Sequence, residues 1–471
     1  MPQRRPHVAP SAAQTELAAA LAALRESVEV PIDFPAEVLA EADAATALTP
    51  GLDLRDIPFV TLDPLGSRDL DQAFHLERRG HGYTVRYAIA DVPGFVLPGG
   101  AVDLEARRRG QTLYAADGTI PLHPRVLSED RASLLPDADR PALVWTFSLD
   151  EAGAVEDFRL ERAMIRSRAR LDYADTQAAL DRGEGGPAAL LPEIGALRIE
   201  QERLRGGASL NMPDEEVIRQ ADGTYAIERR HPLPVEEWNA QLSLMTGMAA
   251  ASLMLDAGVG ILRTMPQPDE KAFDAFRHQT EALGRPWTSG RYGDYLRDLD
   301  RADPLTLPVL EAAATLFRGA GYVVFDGAAP EDTVQAAIAA PYAHATAPLR
   351  RLVDRWSLEI CLASSEKRDV PAWVRESLRD VPALMQASGQ RASRLDSATI
   401  NCVEAALLAP LVGTTIGATV IEVRGERAAV QIAEPAVTAS APIPAGAAPG
   451  AVVRLRVMRA DIGRGEVEFA V

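Results

Sequence analysis

The sequence feature that most constrains the fold of this chain is an acidic turn between two apolar segments. The apolar run at residues 57–62 predicts a β-strand, and the alternating segment at 73–76 predicts a second one. The link between them contains proline and glycine, which favour a turn. Backbone geometry can therefore gather three carboxylates at one end of a strand pair, and these belong to Asp63, Asp69 and Asp71.

Carboxylates held this closely repel one another, and a bound cation relieves the repulsion. Hard divalent ions such as Mg²⁺ prefer oxygen ligands, often a few carboxylates together with substrate phosphates. In an extended segment Asp69 and Asp71 point to the same face and Gln72 points away. The spacing does not fit a calcium loop of the EF-hand type. A solvated acidic turn is the alternative, and the residues favour a metal site only slightly over it.

Composition bounds the class of protein. A chain of 471 residues with 47% hydrophobic and 25% charged residues is typical of a globular protein of two to four domains. The sequence contains no apolar run that could span a bilayer, and its basic first residues are not followed by an apolar segment. Cys361 and Cys402 are too few for a disulfide framework. We therefore expect a cytoplasmic protein with no membrane partner.

The formal charge of −18 argues, when taken alone, against a nucleic-acid partner. Local clusters matter more for an enzyme, because a basic channel can coexist with an acidic exterior. The sequence has three such clusters, and each could also be a solvated surface: Arg107–Arg109, Arg166 with Arg168 and Arg170, and Arg350–Arg351 with Arg355. For the first cluster we expect the solvated helix face.

The first 48 residues predict a small helical domain. Residues 11–27 have leucines at helical spacing, and a second, short helix follows Pro35. A helix-turn-helix arrangement and two helices packed on the next domain are both open. Beyond it, residues 50–150 are mostly strand, and Pro234 opens a helix that ends near Gly258. Another helix begins around residues 348–351, and we expect Arg350 and Arg351 to face outward in its first turn.

The last part of the chain predicts a small β-barrel. Two alternating strand sets, at 419–432 and 452–471, flank a stretch rich in alanine and proline. Repeated short strands over so few residues are typical of an OB-type barrel. Phe469 is the only aromatic residue there, and the two strand sets carry Arg424, Arg427, Arg454 and Arg456.

Five motifs, in this order, resemble the RNB catalytic domain of the ribonuclease II family. They are the acidic turn, residues 87–92, residues 112–114 with 120–124, residues 235–237, and residues 347–351. The resemblance implies an α+β fold in which a large mixed-sheet RNB domain spans 49–405. The small helical domain of 1–48 precedes it, and an OB-type RNA-binding barrel of 406–471 closes the chain.

The resemblance also implies an activity. Family members are hydrolytic 3′-to-5′ exoribonucleases that degrade single-stranded RNA processively to nucleoside 5′-monophosphates and a short end product. They use Mg²⁺, for which Mn²⁺ can substitute, in a two-metal mechanism. The family suggests a monomer, and no protein partner is implied.

The family's functional positions carry over to residues of this chain. Its four metal-binding acids fall on Asp63, Asp69, Asp71 and Gln72. The resemblance assigns catalysis to Asp69, Asp71 and Arg350, and Asp71 matches the acid that the family can least do without. Arg350 would neutralise charge on the scissile phosphate. The RNA-binding set is Tyr114, which would stack near the scissile end, Tyr173 and Glu236, which would hold the terminal nucleotides, and Arg350 and Arg351.

Three departures from the family pattern matter. Gln72 brings no charge where the family has its fourth acid, and residues 1–48 have no room for the paired cold-shock barrels common in the family. In the terminal barrel Phe469 is the only aromatic residue, so base stacking there should be poor and the four arginines of the barrel should hold the RNA backbone. The first departure motivates a second hypothesis, a degenerate RNB-domain protein that binds RNA without cleaving it. A phosphodiesterase acting on small substrates is disfavoured by the terminal barrel and the arginine clusters.

Overall fold

The computed structural model describes residues 12–27, 32–116, 118–210, 212–219, 225–300, 303, 305–432 and 437–471. The helices in these ranges are α1 (Ala12–Ser27), α2 (Ala36–Ala44), α3 (Ala101–Arg109), α4 (Tyr173–Asp181), α5 (Leu191–Arg205), α6 (Pro234–Ala257), α7 (Glu270–Ala282), α8 (Tyr292–Arg297), α9 (Thr306–Ala314), α10 (Leu352–Ser365), α11 (Ala372–Ser377) and α12 (Val381–Leu408).

The strands in the same ranges are β1 (Leu52–Asp53), β2 (Phe59–Asp63), β3 (Gln72–Arg79), β4 (Gly82–Ala90), β5 (Leu113–Ala115), β6 (Gly118–Ile120), β7 (Asp139–Leu149), β8 (Val155–Asp172), β9 (Asp214–Arg219), β10 (Tyr225–Arg230), β11 (Val259–Thr264), β12 (Gly321–Asp326), β13 (Val334–Gln335), β14 (Ala340–Pro341), β15 (Thr415–Arg424), β16 (Arg427–Ile432), β17 (Val437–Pro442), β18 (Val452–Asp461) and β19 (Glu466–Ala470).

A large mixed sheet forms the centre of the molecule. Its strand order is β1-β8-β2-β3-β4-β7, and β7 also pairs with β8, so the sheet closes on itself. Closure is possible because β8 is 18 residues long: its first part pairs antiparallel with β7 and its last part pairs parallel with β2. Tyr87 and Trp145 are fully buried in this sheet. The predicted α+β class with a large mixed sheet is confirmed.

Two of the sequence interpretations need correction. The helix expected to begin around residues 348–351 begins at Leu352, so Arg350 and Arg351 lie in the segment before it. Arg109, which we expected on a solvated face, is only 1% exposed. Its Nε donates to Glu105 Oε1 at 2.8 Å, and its Nη1 donates to the carbonyl of Pro121 at 3.0 Å. That arginine is structural.

The two N-terminal helices pack against distant parts of the sequence. Helix α1 packs on α12, and Leu17 and Leu21 belong to the core of the C-terminal sheet. Helix α2 packs on α3, with Val38 and Ala42 buried. The domain boundaries after residues 48 and 405 stay predictions. Helix α12, which the sequence interpretation did not anticipate, runs across the second boundary.

The C-terminal sheet has five strands in the order β17-β16-β15-β18-β19, and β17 lies beside β19 at the open seam. Burial alternates along β18: Val453, Leu455 and Val457 face the core and the residues between them are exposed. This nearly closed barrel confirms the OB-type prediction. Phe469 is 8% exposed and belongs to the core, so it offers no stacking surface.

None of the helices in the described ranges is long and apolar enough to cross a membrane.

Candidate active site

The acidic turn and the arginine segment meet at one end of the closed sheet. Asp63 is the last residue of β2, and Asp71 immediately precedes β3. The backbone N–H of Leu349 donates to Asp71 Oδ1 at 2.8 Å, across 278 residues of sequence. This bond places Arg350 beside the carboxylates, as the resemblance to the RNB domain implies.

Asp71 is a buried carboxylate with one oxygen that accepts no hydrogen bond from the described residues. The residue is 1% exposed, and its Oδ2 has no hydrogen-bond partner among the described residues. Arg350 Nε lies 3.4 Å from that oxygen. Burial raises the pKa of Asp71 to about 8, although the positive charge of Arg350 and the bond from Leu349 oppose the rise. The fold therefore holds an acid here at a cost to its ionised form.

Asp63 resembles Asp71 in its surroundings. Its Oδ2 is also buried without a hydrogen-bond partner in the described part of the chain. Burial raises the pKa of Asp63 to about 6, Arg350 opposes the rise, and the charge of Asp69 adds to it. Asp69 likewise raises the pKa of Asp71, so the charge of Asp69 acts on both buried carboxyl groups.

This donor set fits a hard cation in part. Two orphaned, buried carboxylate oxygens are the kind of ligand that Mg²⁺ takes, with water and substrate phosphate completing its shell. Within the described ranges, no group of three or more His, Cys, Asp or Glu side chains is arranged as a complete metal site. The protein therefore offers a partial ligand set rather than a finished cage.

The two adjacent arginines have different partners. Arg350 is 38% exposed at the carboxylates, with Tyr114 also close enough to affect its pKa. Arg351 is turned toward the protein, where its Nε and Nη2 donate to the two oxygens of buried Asp354 at 2.9 and 2.8 Å. The expectation that Arg351 faces outward is wrong. Because Nε and Nη2 of its guanidinium are both engaged with Asp354, Arg351 anchors the residues that precede α10.

Tyr114 projects from the β5–β6 hairpin over the acids. It is 54% exposed, and its hydroxyl donates to Asp69 Oδ2 at 3.3 Å. A cleft of about 280 Å³ continues from this point, and its lining includes Asp69, Tyr114, Thr112, Arg68 and Arg125. An exposed ring beside a carboxylate leaves one aromatic face available for stacking.

Tyr173 lies near both Asp63 and Glu236. Tyr173 begins α4 and shares a hydrogen bond with the side chain of Asn239 from α6; burial raises its pKa to about 12. The charges of Asp63 and Glu236 add to that rise, which places both near the phenol. Glu236 also accepts hydrogen bonds from the N–H of Leu233 at 2.8 Å and from Arg230 Nη2 at 3.0 Å.

Gln72 has both ends of its amide engaged. Its Nε2 donates to the backbone carbonyl of Thr346 at 2.6 Å, and its Oε1 accepts from the hydroxyl of Tyr87 at 2.7 Å. The sequence analysis assigned no role to Tyr87, which begins the motif 87–92, and none to Thr346 or Asn239. Asn239 is a polar residue on the apolar stripe of α6, which was a usable signal. Thr346 acts through its main chain and gives no sequence signal.

The comparisons with known proteins agree with this architecture. A family model described as the RNB domain matches residues 52–358, and one described as the RNase II-type exonuclease C-terminal S1 domain matches residues 414–471. Ribonuclease R of Escherichia coli is 28% identical over 323 residues, which cover 64% of this chain and 39% of that protein.

Two solved structures share the fold. The structure titled Mycoplasma genitalium RNase R in complex with ribose methylated single-stranded RNA matches with a TM-score of 0.86 and 16% identity, over 97% of this chain and 78% of that one. The structure of yeast Ssd1, titled a pseudonuclease, matches with a TM-score of 0.69 and 16% identity, over 88% of this chain and 52% of that one.

The fold and the acid–arginine site define an RNB-domain protein with a C-terminal S1 domain. Because the RNB match covers more than half of the sequence, the chain belongs to the ribonuclease II family of exoribonucleases. The chain spans less than half the length of the curated relatives that it matches, between 33% and 45%.

Proposed function

We propose that this protein is a hydrolytic, Mg²⁺-dependent exoribonuclease that degrades single-stranded RNA from its 3′ end. Its products are nucleoside 5′-monophosphates and a short end fragment. The observation that carries the proposal is the pair of buried carboxylate oxygens, one on Asp63 and one on Asp71, that lack hydrogen-bond partners among the described residues and lie beside Arg350. Such uncompensated acids are costly to a fold and are found where chemistry needs them.

The proposed reaction is the addition of water to the phosphodiester. The water oxygen forms a bond to phosphorus, the bond from phosphorus to the O3′ atom of the preceding nucleotide breaks, and O3′ gains a proton. Arg350 would donate to the non-bridging phosphate oxygens, where negative charge accumulates. A half-exposed guanidinium beside a buried carboxylate is already oriented for that role.

Asp63, Asp69 and Asp71 would hold the metal. When bound, Mg²⁺ supplies an activated water and neutralises charge on the phosphate, and Mn²⁺ offers the same oxygen-ligand chemistry. Bound metal would also relieve the repulsion among the three acids, so their ionised forms would become stable at neutral pH.

The remaining residues would hold RNA. Tyr114 would stack on a base near the scissile bond, since every base presents a π-face, and sequence preference should be weak. Tyr173 and Glu236 would contact the terminal nucleotides next to Asp63. Arg351 would contribute indirectly, by fixing the segment that carries Arg350. We expect a monomer acting in the cytoplasm.

The test is digestion of a 5′-labelled single-stranded oligoribonucleotide by the whole protein in Mg²⁺. We expect stepwise shortening to a stub and release of 5′-monophosphates, with no cleavage in EDTA. The DNA oligonucleotide of the same sequence and the RNA with a blocked 3′ end serve as matched controls and should resist digestion. Internal cleavage of the blocked RNA would contradict the proposal.

A catalytically degenerate RNA-binding protein is the second candidate. Gln72 in place of an acid favours it, and the pseudonuclease fold of yeast Ssd1 shows that the architecture persists without activity. Retardation of the labelled RNA on a gel, with no product in Mg²⁺ or Mn²⁺, would establish this candidate instead.

Substitution of Tyr114 should change the length of the end fragment. We expect Tyr114→Ala to leave a longer end fragment. Without the ring, a short RNA loses base stacking worth about 1–3 kcal/mol per base and dissociates before it is fully degraded. Tyr114→Phe is the matched control, since it loses only the hydrogen bond to Asp69 and keeps the ring. End-fragment length on a sequencing gel distinguishes them, and an unchanged stub in Tyr114→Ala would exclude a stacking role.

A further inference from the structure

We propose that Gln72 is a positioning residue that fixes the segment carrying Arg350, and that it is not a metal ligand. This inference rests on the proposed hydrolysis of RNA, and it concerns the one position where the chain departs from the family's four acids. Its basis is the hydrogen-bond chain from Tyr87 through Gln72 to Thr346.

The neighbours of Gln72 determine which way its amide points. The carbonyl oxygen of Thr346 can only accept a hydrogen bond, so Nε2 must face it. Oε1 then faces the hydroxyl of Tyr87, which donates to it. This orientation of the amide satisfies both contacts. The flipped orientation would place Oε1 against the carbonyl oxygen of Thr346, and two acceptors cannot form a hydrogen bond. A carboxylate at residue 72 could accept from Tyr87, but it could not donate to Thr346.

The series of hydrogen bonds starts at Tyr87, which is held rigidly. Tyr87 is fully buried and lies on β4, which pairs with β3 on one side and β7 on the other. Its hydroxyl donates to Gln72 Oε1 at 2.7 Å, and a buried hydroxyl that loses its partner is costly. If Gln72 turned toward a metal ion, the Thr346 carbonyl would lose its donor and the Tyr87 hydroxyl could lose its acceptor.

At its other end, this series of hydrogen bonds reaches Thr346, which begins the segment that presents Arg350. Gln72 holds its beginning at the Thr346 carbonyl, and Asp71 holds its other end at the Leu349 N–H. Between them, the Ala347 N–H donates to Asp354 Oδ1 at 2.6 Å. Two adjacent residues of the acidic turn thus fix two points of one segment, directly before Arg350. Loss of either point would let the guanidinium drift from the phosphate position.

The experiment measures metal binding and kinetics separately in Gln72→Ala, Gln72→Asp and Tyr87→Phe. Equilibrium binding of Mn²⁺ to the RNA-free protein, followed by electron paramagnetic resonance, should change less than about twofold in Gln72→Ala and Tyr87→Phe. With RNA, we expect kcat to fall about tenfold to a hundredfold in Gln72→Ala, with KM and the half-saturating Mg²⁺ concentration unchanged. Gln201→Ala is the matched control. It removes a glutamine whose Nε2 donates to the backbone carbonyl of Ala152, outside the site, and it should change neither Mn²⁺ binding nor kcat.

Gln72→Asp gives the sharpest contrast, because the two roles predict opposite signs. A ligand role predicts tighter Mn²⁺ binding and a higher rate, since a carboxylate replaces a neutral oxygen. The positioning role predicts a lower kcat, since the donor to Thr346 is lost. In denaturation in EDTA, Gln72→Ala and Tyr87→Phe should also be non-additive, because they remove the same bond.

The outcomes separate this inference from the proposed function. Weaker Mn²⁺ binding by about tenfold or more in Gln72→Ala, or a faster Gln72→Asp variant, would overturn the positioning role. If the wild-type protein cleaves no RNA, the proposed function fails, and the Mn²⁺ titration with the denaturation cycle still decides what Gln72 does. Additive effects of Gln72→Ala and Tyr87→Phe on the free energy of unfolding would then count against a hydrogen bond between the two side chains.

Discussion

Asp71→Asn is expected to abolish RNA hydrolysis and, at the same time, to stabilise the metal-free protein at pH 8. The rate should fall on the order of 10³-fold or more, because a neutral amide cannot supply the charge that holds the metal and the attacking water. RNA binding should persist, since Tyr114, Tyr173 and Arg350 are unchanged. Retention of the labelled RNA on a filter, without cleavage, measures both parts of that outcome.

The stabilisation follows from the pKa of Asp71. In the folded protein this pKa is about 8, against an ordinary value of 3.8. Between those values the folded state binds a proton that the unfolded state has released, so the free energy of unfolding decreases as pH rises from about 4 to 8. Below pH 4 both states are protonated and the penalty disappears. Above pH 8 the penalty is complete and constant.

Thermal denaturation in EDTA at pH 5 and pH 8 tests this sign. We expect the wild-type protein to lose stability between the two pH values, and we expect the substitution Asp71→Asn to remove most of that loss. The gain in melting temperature should therefore be several degrees at pH 8 and smaller at pH 5. Asp354→Asn is a useful contrast, because Asp354 is paired with Arg351 and its replacement should destabilise the protein instead. A lower melting temperature for Asp71→Asn at pH 8 would contradict the argument.

The sequence predicted the parts of this molecule that are recorded in local patterns. The alternating segment at 73–76 predicted β3, leucine spacing at 11–27 predicted α1, and the acidic turn lies beside Arg350 as the resemblance to the RNB domain implied. Each of these signals depends on residues within about ten positions of one another, or on an ordered set of motifs that resembles a known family.

The sequence could not predict features that depend on tertiary contacts. Closure of the large sheet requires that β8 pair with both β2 and β7, and nothing local to β8 specifies two partners. The charge of Arg351 suggested a surface residue, but its position before α10 turns it onto Asp354. The sequence suggested a weak metal ligand at Gln72, because its partners Tyr87 and Thr346 are brought to it only by folding.

Substitutions of the adjacent residues Arg350 and Arg351 should affect different properties: the first should lower the rate, and the second should lower the stability. Arg350→Ala should lower kcat about 10²- to 10³-fold. It should change stability little near pH 7, because the Arg350 side chain is 38% exposed and the carboxyl of Asp71, with a pKa of about 8, is mostly protonated there in the metal-free protein. Arg350→Lys should restore only part of the rate, since an ammonium lacks the planar fork that fits a phosphate.

Arg351→Ala should instead reduce the free energy of unfolding by about 3 kcal/mol, because it leaves the buried carboxylate of Asp354 without its cation. Some activity is then lost through folding rather than chemistry, and it should return when the assay is cooled or when Mg²⁺ and RNA stabilise the native state. Urea denaturation and single-turnover rates on both variants separate the two effects. Equal loss of stability in Arg350→Ala and Arg351→Ala would show that both arginines are structural, and the proposal for catalysis would then depend on the carboxylates alone.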